Sequence, residues 1–64
     1  MKLYDVKYGS RIRVKEDPTI PPAAPEIKSG QELKFCGVDG MYSKCYTNDN
    51  ELVHIAAWTE VEVL

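Results

Sequence analysis

The stretch SGQELKFCGVDGMYSKCYTNDNELVHIAAWTEVEVL, residues 29–64, decides the fold. Gly30 leads into Glu32-Leu33-Lys34-Phe35-Cys36, where apolar and polar residues alternate. Val38-Asp39-Gly40 is a turn signal, Met41 to Thr47 follows, and Asn48-Asp49-Asn50 marks a second turn. Leu52 to Ala57 and Glu60 to Leu64 complete the series. Period-two alternation broken by Gly, Asn and Asp reads as strands joined by tight turns. The expected class is all-β, a meander that closes on itself as a small five-stranded barrel.

Upstream, Arg11-Ile12-Arg13-Val14-Lys15 alternates in the same way, with Ile12 and Val14 on one face and three cations on the other. Leu3 to Val6 reads as a short opening strand, and Gly9-Ser10 as a turn. Residues 16–29 differ in kind, because they hold all four prolines, Pro18, Pro21, Pro22 and Pro25. Proline has no amide donor, so this run is expected to be a long surface loop outside the sheet. Ile20 and Ile27 are its large apolar groups and are expected to pin it to the body.

Parity assigns the core. Leu33 and Phe35 point inward, and the small uncharged set Met41, Ser43 and Cys45 is preferred as the inward face of the next strand. That choice implies an odd-length loop before it, with Gly40 at a positive-φ bulge position. It leaves Tyr42 and Tyr46 outward. The expected core is Ile12, Val14, Leu33, Phe35, Met41, Cys45, Val53, Ile55, Ala57, Val61 and Val63. Ala56 to Thr59 is expected to form a short helical turn, with Trp58 as a lid over one end.

At 64 residues the chain makes one domain, residues 1–64, with a modest core. Its formal charge of −2 lacks the basic excess of a typical nucleic-acid binder, although a local stripe at Arg11, Arg13 and Lys15 remains a candidate surface. No apolar run approaches the roughly 20 residues that span a bilayer, and the N-terminus has no apolar leader. The expected compartment is the cytoplasm, with no membrane partner.

If Asp39-Gly40 is a two-residue turn, Cys36 and Cys45 fall diagonally on neighbouring strands, about 7–8 Å apart, which is too far for a disulfide, and a longer loop separates them further. With His54 they make an evenly spaced trio, but structural zinc needs four ligands and no fourth is evident. Neither cysteine has an evident base, and no Gly-rich phosphate loop or paired carboxylate occurs. The chain is expected to be no enzyme and to carry no cofactor or metal. Tyr42, Tyr46 and Trp58 are the candidate partner-binding residues, because outward aromatics on a sheet commonly mark an interface. The expected function is a small interaction module that binds a protein partner or itself. The alternative is a nucleic-acid-binding barrel using Arg11, Arg13 and Lys15.

Lys28, Gly30, Leu33 and Phe35, then Ile55 before a helical turn and Val61 and Val63 in a closing strand, resemble the SH3-like small barrel over Arg11 to Leu64. The resemblance implies a long loop after the first strand, two hairpins, a helical turn and a final strand. It does not imply proline-peptide binding. The family's acidic loop and the Trp after its second strand are missing here, and Trp58 stands where a small polar residue is usual. In overall look the chain also resembles small accessory proteins of bacteriophages and marine bacteria.

Overall fold

The computed structural model describes residues 1–64. Five antiparallel strands form a single sheet: β1 (Arg11–Val14), β2 (Glu32–Asp39), β3 (Tyr42–Tyr46), β4 (Leu52–Val53) and β5 (Val61–Val63). Their order is β4-β3-β2-β1-β5. β4 and β5 are therefore the two edges, and the sheet does not close into a barrel by strand pairing. The chain between them curls over one end instead. Ala56 bridges Tyr42, and Glu60 bridges Lys2. No helix is long and apolar enough to cross a membrane.

The core lies on one face of the sheet. Ile12, Leu33, Phe35, Cys45, Val53 and Ile55 are completely buried, and Val14 and Val61 nearly so. Met41 and Val63 depart from the expected core, at 62% and 46% exposed. Met41 is out because β2 and β3 join through two residues only, Gly40 and Met41, with Asp39 facing Tyr42. Gly40 has φ 67 and Met41 does not share that sign, the pattern of a II′ hairpin turn. The odd residue demanded by parity sits in the strand instead. Phe35 faces Cys45 and Gly37 faces Lys44, so Cys36 is the extra residue of a β-bulge. The bulge lets Phe35 and Val38 both turn inward while Ser43 and Cys45 keep their inward places. Val63 faces Ile12 but lies on an edge strand beyond the end of the core.

The N-terminal segment is a single 3₁₀ turn, Leu3–Asp5, rather than a strand. The Val6 amide donates to the Leu3 carbonyl at 3.0 Å. In a tight turn residues three apart share a face, so Leu3 and Val6 both enter the core. The segment is fastened to the far end of the chain. The Leu3 amide donates to Thr59 O and that of Tyr4 to Ala57 O, both at 2.9 Å, and the Val61 amide donates to Met1 O at 2.8 Å.

Residues 15–31 join β1 to β2. Ile27 is buried and Ile20 packs partly against the core. The Ala56 amide donates to the Thr19 carbonyl at 2.8 Å, so this connection covers the outer edge of the segment that follows β4. β4 itself is brief. The Ser43 amide reaches Ile55 O at 2.7 Å, while the Ser43 carbonyl accepts from His54 Nδ1 at 3.0 Å. A carbonyl only accepts, so Nδ1 carries the proton.

The turn before β5 is held by Thr59, which is buried. Its amide and its hydroxyl both donate to the Ala56 carbonyl, at 3.0 and 2.7 Å. Thr59→Val keeps the shape and removes the hydroxyl bond while leaving the carbonyl its amide partner. The expected cost is about 1 kcal/mol, read as a lower urea midpoint at unchanged slope. A loss within error of zero would show that the backbone bond alone holds the turn.

Candidate functional site

Alternation along β3 sends Ser43 and Cys45 inward and Tyr42, Lys44 and Tyr46 to the outer face. The two tyrosines are four residues apart on an extended strand, about 13–14 Å from Cα to Cα, with Lys44 between them. They do not form one patch. Tyr42 is half-buried beside Ala56, at the end covered by the β1–β2 connection. Tyr46 lies at the opposite end of β3, facing Lys34 on one side and Leu52 on the other.

Trp58 is no lid. It is 43% exposed, on the turn after the buried Ala57. Ala57 is a meeting point: its amide donates to Met41 O and its carbonyl accepts from the Tyr4 amide, both at 2.9 Å. Tyr4 and Met41 are themselves more than half exposed. The backbones that carry Tyr4, Met41 and Trp58, in the N-terminal turn, the hairpin turn and the β4–β5 connection, therefore meet at one residue. Sequence reasoning found Trp58 here, counted Met41 as core and missed Tyr4, whose neighbours are fixed by long-range hydrogen bonds.

The three first-strand cations have separate fates. Arg13 lies between two acids, with Nη2 at 3.2 Å from Glu32 and Nη1 at 3.1 Å from Glu62. Its hydrogen bond is the main reason the Glu32 carboxyl sits below the usual carboxylate range, Arg11 adding to it. Arg11 Nη2 donates to Asn48 Oδ1 at 2.7 Å, reaching over β2 to the β3–β4 turn, and lies 3.5 Å from Glu32. Lys15 follows β1 and is exposed. The three do not form a shared stripe.

Cys36, Cys45 and His54 also fail to converge. Cys36 is the exposed bulge residue, whereas Cys45 is buried and both thiols are free. Burial pushes the Cys45 thiol up to about 11, against a smaller downward pull from its contact with Ser43 Oγ. His54 is engaged with Ser43. No group of three or more His, Cys, Asp or Glu side chains is arranged to hold a metal ion, and the surface forms no pocket.

What the sheet does assemble is a cross-strand row on its outer face. Arg11 faces Lys34, Lys34 faces Tyr46, and Tyr46 faces Leu52. Lys44 stands two residues from Tyr46 on the same face. Lys34 and Lys44 are outward by parity, which the sequence displays. Their alignment with Arg11 depends on the β1–β2 register, which it does not. Comparison of the chain with protein-family models, with curated proteins and with solved structures finds no match.

Proposed function

We propose that this chain is a small non-enzymatic interaction module of the SH3-like type, binding a protein partner or a second copy of itself through the aromatic end around Ala57. The observation that carries the reading is the exposure of Tyr4, Met41 and Trp58 on three segments that meet at that residue. Single exposed apolar residues are ordinary on a soluble domain. Several from separate segments at one place are the composition of a docking surface, where aromatics and methionine are enriched. Tyr42 flanks this end and extends it. The SH3-like part of the reading is supported by the long connection after β1, the two hairpins and the turn that precedes β5.

Trp58 is the chain's one tryptophan, so its fluorescence reports on that end directly. Its emission is expected to move to shorter wavelength as protein concentration rises or as a partner is added. Trp58→Glu and Met41→Glu are expected to abolish the association seen by light scattering, with the circular dichroism spectrum unchanged. The reading is overturned by a chain that stays monomeric with unshifted emission at every concentration and retains no partner that Trp58→Glu fails to retain.

A further inference from the structure

The outer row Arg11–Lys34–Tyr46–Leu52 contains an arrangement that folding alone disfavours. Arg11 and Lys34 are direct cross-strand neighbours, and like charges in that position repel. Lys34 has no carboxylate within ion-pairing distance. Arg11 does not relieve it by turning away. Its guanidinium is held across β2 by Asn48, on the turn that follows Tyr46, so two cations lie over the same part of the sheet. A third, Lys44, stands on the other side of Tyr46 on the same face. The acids within ion-pairing distance of these cations are Glu32, 3.5 Å from Arg11, and Asp39, 3.9 Å from Lys44. Both contacts are long and solvent-exposed, and such pairs neutralise little. Of the other acids, Glu16, Asp17 and Glu26 lie in the β1–β2 connection, whereas Asp49 and Glu51 border the strip on the β3–β4 turn and make no ion pair with its cations.

The geometry points to a binding strip for single-stranded nucleic acid on this face, with Arg11, Lys34 and Lys44 on phosphates and the Tyr46 ring stacked on a base. A phosphate-bearing ligand supplies the counter-charge that the Arg11–Lys34 pair lacks. An aromatic ring beside lysines, here Tyr46 with Lys34 across from it and Lys44 along its strand, is the combination that sequence-tolerant single-strand binders use. The single strand is favoured over the duplex because only an unpaired base offers its face to Tyr46, and the chain, whose one helical element is a 3₁₀ turn, has no α-helix to enter a groove. The strip spans four strands, about 14 Å, enough for two or three nucleotides. This surface is separate from the aromatic end around Ala57, so the two readings stand or fall independently.

The test is fluorescence anisotropy with a labelled oligothymidylate. Three phosphate contacts give an expected log–log salt slope of about −2, or about fifteenfold weaker binding between about 50 and 200 mM salt. Lys34→Glu is expected to remove binding. Tyr46→Ala is expected to weaken it at least about fivefold, whereas Tyr46→Phe, which keeps the ring, binds as the parent does. Trp58→Glu and Lys15→Glu leave it unchanged. Absence of any anisotropy change at low salt overturns the proposal. So does binding that survives Lys34→Glu, or equal binding of polyglutamate together with an inert Tyr46→Ala, which would make the row a general anion strip. Circular dichroism of each variant separates lost binding from lost folding.

Discussion

Leu3→Ala is expected to destabilise the domain by about 2–5 kcal/mol, the usual cost of truncating a fully buried leucine. A domain this small has a total stability of only a few kcal/mol, so the substitution should leave much of the population unfolded at room temperature. Removing residues 1–6 altogether is expected to abolish the cooperative transition. That deletion takes Leu3 and Val6 from the core and strips the hydrogen bonds to Thr59, Ala57 and Val61. Tyr4→Ala, at an exposed position in the same turn, should move stability by no more than about 0.5 kcal/mol. Urea titrations of the three variants check this. A chain of residues 7–64 that melts like the parent would mean that the sheet is self-sufficient and the N-terminal turn only rests on it.

The second large effect is expected at alkaline pH, through Cys45. Its thiol is completely buried, and burial raises its pKa from 9.0 to about 11. In the unfolded chain the same thiol ionises near its ordinary value. Between the two pH values the unfolded state has lost a proton that the folded state keeps, so stability is full below about pH 9 and falls as pH rises towards 11. At pH 10.5 the loss from this one group is about 2 kcal/mol. The informative quantity is a difference between variants, in which every other contribution to the alkaline decline cancels. The decline from pH 7 to 10.5 should be smaller in Cys45→Ala by that amount and by far less in Cys36→Ala, Cys36 being the least of the influences on the Cys45 thiol. A thiol reagent should label Cys36 at once and Cys45 only on unfolding. Equal declines in all three proteins would show that the Cys45 thiol is not held neutral by its surroundings.

Much of the sheet was legible because its cause is local. Alternation in Arg11–Val14, Glu32–Phe35 and Tyr42–Tyr46 sets which side chains go in, and the structure keeps that parity throughout. What parity does not carry is where an odd residue is absorbed. Parity alone puts Met41 in the core by way of a longer hairpin loop, whereas Cys36 takes the extra position within β2. Leu3 to Val6 was ambiguous for a different reason. Four residues with apolar groups at both ends fit one 3₁₀ turn as well as a strand, and only the bonds to residues 57–61 decide between them. Trp58 reads from the sequence as a lid over one end of the barrel, because a lone tryptophan in a small core is usually structural. Here the turn buries Ala57 and Thr59, and the residue between them faces out.

The candidate surfaces were less legible than the core. The outward aromatics Tyr42, Tyr46 and Trp58 were visible from the sequence, but not that Tyr46 belongs to a cationic row and the other two to a different end. That division depends on pairings between residues far apart in the chain. The long connection of residues 15–31 leaves the β1–β2 register unconstrained by any turn, so the meeting of Arg11 with Lys34 is a tertiary fact. Alternation makes Arg13 equivalent to Arg11, yet that register sets it against Glu32 and Glu62.

The extra position at Cys36 gives this hairpin one place where chain length is not rigidly fixed. Shortening the chain by that single residue would leave Gly37 to take the outward slot and return Val38 to strict alternation with Phe35, so every later side chain would keep its side. The same loss within Tyr42–Tyr46 would turn every residue beyond it to the opposite face, exchanging inward and outward side chains along the rest of the strand. Insertions and deletions among descendants of this sequence should therefore collect at that spot, and lineages could trade a straighter ribbon for a more tightly coiled one without rewriting the interior.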